Sequence, residues 1–298
     1  MREILEDIVR CTDQEPGFFM RDSKFTPKMR KALKSGFPKR RIPSDTGKNT
    51  QRALEKRRLI SKDGVLTSQG VFVVLEWLSL NNQCRELGLP LEELSYQSTS
   101  KPEIAAYKYF SERGYVGDFQ EGDIILMVIQ ALCLDELTEL NPEKSREDAC
   151  RFLKAQFYDF ELKKKDLEPL FEAIQKTSKE RFTENFKEIL GEPIQSPILG
   201  NEWNQEVDKR YKSYPDAAKA FYDAVGIGPL ERVARKFASN PCQFGNGWPD
   251  LTLVKGNEVR FIEVKTGDNL HRSQLVTIPI MQPLLPATFS VLRMKKQG

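Results

Sequence analysis

Near the C-terminus, two short apolar runs, Asp250–Val254 and Val259–Lys265, flank a Gly256-Asn257 turn. β-branched and aromatic residues on both sides of such a turn predict a hairpin. This pair constrains the fold most, because the chain before it is largely helical by its periodicity. Leu251, Leu253 and Val254 face Phe261, Ile262 and Val264 in sequence, so the strands are apolar on both faces and their sheet is buried. Yet they carry Asp250, Glu263 and Lys265, and charges in a buried sheet are costly unless paired or used. Strand alternation puts Glu263 and Lys265 on one face, and a hairpin register can bring Asp250 beside Glu263. Two carboxylates in one cleft make a hard oxygen site for Mg²⁺ or Mn²⁺, to which the Val264 carbonyl can add a ligand. A lysine beside them can help deprotonate water or neutralise charge on phosphate. Together these are the parts of metal-assisted phosphodiester hydrolysis.

The flanking periodicity predicts a helix over Leu270–Met281, interrupted near Pro279, and a last strand over Thr288–Met294. Upstream, Ile104–Arg113, Gly122–Leu137, Arg146–Phe157, Lys165–Thr177, Lys179–Leu190, Asp208–Val225 and Pro229–Ala238 read as helices, with a loop at 193–200. A polar stretch at 96–102 reads as a linker. Before it, helices are expected at Glu3–Cys11, Thr26–Lys34, Thr50–Arg58 and Val71–Leu80, with a short hairpin around Asp63-Gly64. This order resembles a winged helix-turn-helix module.

Charge supports that reading. Between Lys28 and Arg58 twelve bases meet only Asp45 and Glu55, a local net of +10 in a chain whose total is +3. A run this basic points to a polyanion such as nucleic acid. Arg52, Lys56, Arg57 and Arg58 would lie on the recognition helix, with Lys39, Arg40 and Arg41 beside it. Other functions are disfavoured. The single histidine, His271, which reads as a surface or cap residue, makes a histidine-dependent hydrolase or His-ligated zinc enzyme a poor fit. The five cysteines are scattered without a CxxC, which disfavours zinc and a disulfide framework. No apolar run reaches the roughly 18 residues of a membrane span, and the N-terminus has no signal-like apolar stretch. A cytoplasmic protein is expected, associated with the nucleoid if bacterial.

Gly247-Trp248-Pro249-Asp250-Leu251 followed by Phe261-Ile262-Glu263-Val264-Lys265 resembles the PD-(D/E)xK nuclease signature, and more narrowly its VRR-NUC type. Asp268, Leu270 and Gln274 match that type in order, whereas Thr266-Gly267 replaces its usual glycine-proline. Upstream, Ala105–Gly114, then Tyr115-Val116-Gly117-Asp118-Phe119-Gln120-Glu121-Gly122, then Ile124–Leu137 resemble the plan of the Fanconi-associated nuclease, a member with a helical insertion. The resemblance covers roughly residues 100–298 and implies an α/β chain, mostly helical overall, with a helical region carrying the insertion at 100–205 and a restriction-endonuclease-like core at 206–298; residues 1–95, outside it, are expected as the basic winged-helix-like DNA-binding domain read above. The resemblance implies Glu121 as a metal carboxylate with Asp250 and Glu263. Glu231 is the rival, favoured by its spacing. Gln274 and Arg272 would orient water or hold phosphate, and Arg232, Arg235 and Lys236 would contact the DNA backbone. The implied activity is Mg²⁺- or Mn²⁺-dependent cleavage of flap or branched duplex DNA in repair, by a monomer. An interbacterial DNase toxin with an immunity partner, and a non-catalytic winged-helix DNA-binding protein, are the alternatives.

Overall fold

The hairpin forms, and three further strands join it. In chain order these are β1 (Leu91–Gln97), β2 (Val116–Asp118), β3 (Leu251–Lys255), β4 (Glu258–Lys265) and β5 (Thr288–Gln297). The structure is a computed structural model and describes residues 7–8, 25–97, 101–142, 144–151, 153–191 and 214–297. The expected loop at 193–200, most of the Glu3–Cys11 helix and residues 208–213 lie outside the described residues. The chain divides into two units, residues 1–90 with 268–280, and residues 91–267 with 281–298.

The second unit holds the sheet, in the order β1-β5-β4-β3-β2. β4 runs antiparallel to β3 and parallel to β5, and β1 pairs parallel with β5 at the edge. The stretch expected as a linker at 96–102 is therefore partly strand: Tyr96 and Gln97 end β1. Polar composition misled because β1 is an edge strand. Leu94 and Tyr96 pack inward while Glu92 and Glu93 meet Arg260, Arg293 and Lys295 across the strands. The sheet also joins segments from both regions expected to be separate at 100–205 and 206–298.

Alternation sorts the faces. Leu251, Leu253, Ile262, Val264, Leu292 and Met294 pack against Ala106 and Phe110 of the Pro102–Ser111 helix. The other face carries Phe261 stacked on Phe289 at 4.7 Å, with Phe221 of the 214–225 helix edge-on to Phe261. β2 crowds β3: a Cβ at Gly117 would lie 1.9 Å from the Thr252 carbonyl oxygen, so only glycine fits.

The helices of the second unit are built on the Asp123–Leu140 helix, apolar almost all round and buried. It bends at Cys133, whose backbone leaves helical values. Burial pushes the Cys133 thiol far up, so it behaves as a small apolar group that donates to the Ile129 carbonyl. On the outside Arg146 and Arg181 both bind Asp135, and Arg146 also binds Glu188 and Asn185. The expected Arg146–Phe157 helix is two helices, Arg146–Ala149 and Leu153–Leu162. The Gln130 and Gln156 amides donate to the Ala149 and Arg151 carbonyls left open by the break.

The first unit contains helices Pro27–Gly36, Lys48–Lys56, Ser68–Glu76 and Leu80–Leu87, with residues 272–280 of the Arg272–Met281 helix. Thr26 and Thr67 cap two of them as their sequence suggests. The expected hairpin at 59–67 is reduced to the isolated bridge Ile60↔Leu66, with Arg41↔Val65 beside it. Around it the Ser61 and Thr67 N–H groups donate to the Val65 and Leu59 carbonyls across the turn at Gly64, which has positive φ. Gln83, buried, accepts from the Leu270 N–H and donates to the Leu75 carbonyl, which ties 268–280 into this unit.

Candidate active site

The strand register brings the three hairpin charges together. Leu251 pairs with Ile262, so the next step of the ladder sets Asp250 opposite Glu263. The Val264 N–H donates to Asp250 Oδ2 at 2.8 Å and fixes that carboxylate. Lys265 Nζ lies 2.9 Å from Glu263 Oε1. Glu263 is 1% exposed and Lys265 4%, so neither group can be a solvated surface charge. All three share the aromatic face of the sheet.

Burial sets the electrostatics. It pushes the Glu263 carboxyl well above its ordinary range, and the neighbouring Asp250 adds to this, while Lys265 pulls the other way. Asp250 is also raised, first by burial, against the Val264 N–H and Lys265. Two acids raised by burial in one place, with Asp250 pushing Glu263 up further, make a site that gains from a divalent cation. The oxygen donors suit a hard ion, and no sulfur or imidazole ligand is grouped with them. Among the described residues no cluster of three or more His, Cys, Asp or Glu side chains is gathered for a metal, so the protein itself supplies a carboxylate pair here.

Trp248 anchors the approach to Asp250. It is fully buried, its indole N–H donates to the Phe244 carbonyl at 2.8 Å, and its ring lies against Phe261. Gly122 packs onto it. A Cβ at Gly122 would sit 2.5 Å from Trp248 Cγ, and the residue has φ +69°. Glu121, exposed in the turn just before Gly122, therefore lies on the chain that passes the start of β3. The β2–β3 register agrees, since Asp118 pairs with Thr252 and the following residues run toward Asp250. Glu231 is placed differently. Its carboxylate receives Gln175 and Arg235, both on the outside of the helices, and is pulled below its ordinary range by them.

The other expected residues fall as follows. Arg235 also binds Glu168 and covers Phe171. Arg232 donates to the Leu284 carbonyl, and Lys236 lies over Phe244. In the first unit, Arg272 pairs with Glu76 at 2.5 Å and lies over Phe72, while buried Gln274 accepts the His271 N–H and so closes the helix start. The His271 ring is exposed. Arg52, Lys56 and Arg58 are exposed, as are Lys39 and Arg41; Arg40 binds Asp7 and Arg57 lies over Phe25. Sequence reasoning passed over Asp118. It is buried on the same sheet face as the pair, and its Oδ2 accepts from the Tyr214 hydroxyl at 2.6 Å. An acid inside a three-residue strand leaves little periodic signal.

No family model matches the chain, and no curated protein matches it. Among solved structures it is similar to paFAN1 bound to a 2-nucleotide 5′ flap DNA with a gap, with TM-score 0.42 and 15% identity over 98% of this chain and 54% of that one. A second paFAN1 structure, bound to a 1-nucleotide 5′ flap with a gap, gives TM-score 0.43 and 16% identity over 98% and 55%. The chain thus spans about half the length of these solved proteins.

Proposed function

We propose that the protein is a metal-dependent nuclease that hydrolyses phosphodiester bonds in DNA, with flap or branched duplexes as its substrates and repair as its setting. The group of half-buried Asp250 with buried Glu263 and Lys265 carries this reading. Asp250, Glu263 and the Val264 carbonyl would hold Mg²⁺ or Mn²⁺, with Glu121 as the added carboxylate. The ion would supply Lewis acidity to a bound water and neutralise charge on the phosphate. The chain's own residues do the rest. The Val264 N–H keeps Asp250 aimed into the site. Lys265, which lies against Glu263, would donate to a phosphate oxygen as charge develops there. The basic face of the first unit would hold duplex DNA.

The test is cleavage of an end-labelled 5′-flap duplex, beside linear duplex and single strand, in Mg²⁺, Mn²⁺ or EDTA. Asp250→Ala and Lys265→Ala should each lose cutting while retaining DNA binding. Cutting by Asp250→Ala at the wild-type rate would overturn the assignment. Equal cutting of every substrate would favour a toxin-like DNase, and salt-dependent binding without any cutting would leave a DNA-binding protein.

A further inference from the structure

The chain from Gly117 to Gly122, which leads into the Asp123–Leu140 helix, is held along its length. The Tyr107 hydroxyl donates to the Gly117 carbonyl at 3.3 Å, and Phe119 lies against the Tyr107 ring at 5.4 Å. The Gln120 N–H donates to Asp118 Oδ2 at 3.1 Å, and the Gln120 carbonyl accepts from the Asp123 N–H at 3.3 Å. Gly122 rests on Trp248. Within this run Glu121 is the exposed residue. A segment fixed on both sides of one exposed carboxylate presents that carboxylate in a set place.

Asp118 is the hub of this turn. A buried carboxyl is costly unless its hydrogen bonds are made. Its Oδ2 accepts twice, from the Gln120 N–H two residues on and from the Tyr214 hydroxyl at 2.6 Å, 96 residues away in sequence. Tyr214 is buried too, and its ring stacks on Phe186 of the Lys179–Leu190 helix at 6.3 Å. Packing alone would be met as well by apolar side chains. What a carboxyl adds is direction. It sets where the Gln120 N–H sits, and so where the backbone enters Glu121. Tyr214 in turn fixes the carboxyl from a helix distant in sequence.

We propose that Asp118 and Tyr214 are positioning residues: their hydrogen bond fixes the Gln120 turn and so holds Glu121 as a carboxylate for the metal at Asp250 and Glu263. This role rests on the reading of Glu121 as a metal carboxylate and names what aims it. Neither residue touches the ion or the substrate; both act through Glu121.

Mn²⁺ affinity of the full-length protein without DNA is measured from the electron paramagnetic resonance signal of the free ion. Amide hydrogen exchange is read at Gln120 beside it. Tyr214→Phe removes the hydroxyl and keeps the ring on Phe186. It should weaken Mn²⁺ binding about 10-fold and speed exchange at Gln120, with the Val264 amide unchanged. Glu121→Gln should weaken binding by itself, and adding Tyr214→Phe to it should weaken binding no further, because the hydroxyl acts through Glu121. Asp118→Asn keeps an acceptor oxygen for both donors and should bind Mn²⁺ as the wild type does. Tyr214→Phe with wild-type Mn²⁺ affinity overturns the role, whatever happens to Gln120 exchange. So does Glu121→Gln that binds normally, or a further 10-fold loss in the double variant, which a general loss of stability would produce. Weak binding by Asp118→Asn with Gln120 still protected would make Asp118 act on the ion by its own charge and also overturns it. The two readings fail separately. A wild type that binds Mn²⁺ with the pattern above yet cuts no DNA keeps the positioning pair and removes the nuclease. Cutting of DNA with Tyr214→Phe indistinguishable from wild type in Mn²⁺ affinity does the reverse. A wild type that binds no Mn²⁺ overturns both.

Discussion

Gly122→Ala probes the link between the start of the Asp123–Leu140 helix and the approach to Asp250. Two costs are separable. The first is backbone: a side chain at φ +69° costs roughly 1–2 kcal/mol relative to glycine. The second is contact. The new Cβ would lie 2.5, 2.7 and 2.8 Å from Trp248 Cγ, Cδ1 and Cβ. Carbon pairs settle near 3.5–4.0 Å, so about 1 Å of overlap must be relieved. Trp248 is fully buried with its indole tied to Phe244, so it cannot swing aside freely. Overpacking of this kind costs about 1–3 kcal/mol, and the total is about 2–5 kcal/mol. Gly256→Ala is the comparison, because its φ is +57° and nothing lies within 4 Å of the added Cβ. It should lose only the backbone part, about 1–2 kcal/mol. Urea unfolding followed by far-UV circular dichroism reads both losses as shifts in midpoint. Gly122→Ala should also slow cleavage, since Trp248 precedes Asp250 by two residues. If the two alanine variants lose equal stability, Gly122 does not rest on Trp248 and the placement of Glu121 beside β3 falls with it.

Other outcomes follow from the same geometry. Trp248→Ala should cost about 3–5 kcal/mol, read by the same unfolding curve; a loss below about 1 kcal/mol would contradict its burial. The raised Asp250 and Glu263 carboxyls bind more protons folded than unfolded, so without metal their contribution is full in acid and declines as pH rises above the ordinary carboxylate range. Added Mg²⁺ should restore stability on that alkaline side and not in acid; thermal unfolding across pH, with and without the ion, checks this. Asp135 has the opposite sign. Its hydrogen bonds from Arg181 and Arg146 lower it to about 2, so its stabilisation is present at neutral pH and lost as pH falls from its ordinary value toward that one. Because it is half exposed, Asp135→Asn should cost only about 1 kcal/mol at pH 7, and a pH-independent loss would show that charge is not its source.

The hairpin, its register and the three charges were legible because period-two alternation and a Gly-Asn turn are local signals. Most helices were legible from their own period, but the Arg146–Phe157 period continued through a break that only the Gln130 and Gln156 amides reveal, and the expected Val71–Leu80 helix ends at Glu76 before a further helix, Leu80–Leu87, that was not read. β1 and β2 were not legible. An edge strand with Glu92, Glu93 and Ser95 reads as polar, and its identity depends on β5, distant in sequence. β2 owes its place to Gly117, whose missing side chain lets it press on β3. At the site, sequence named Asp250, Glu263 and Lys265 but could not show that Glu231 is held by Gln175 and Arg235, or that Arg232, Arg235 and Arg272 have partners in the fold. Those depend on tertiary neighbours.

The segment 268–280 follows directly on the strand that bears Lys265, yet it belongs to the first unit, tied there by Gln83 and Glu76. The first unit is therefore not a bead that can be clipped from the N-terminus. A chain begun at Leu91 would keep the 272–280 stretch but lose Gln83, Glu76 and Phe72, which hold its start. Recombination that swapped residues 1–90 for another DNA-binding module would have to supply a matching groove for that helix. The two units are thus bound to evolve, and to be expressed, as a pair.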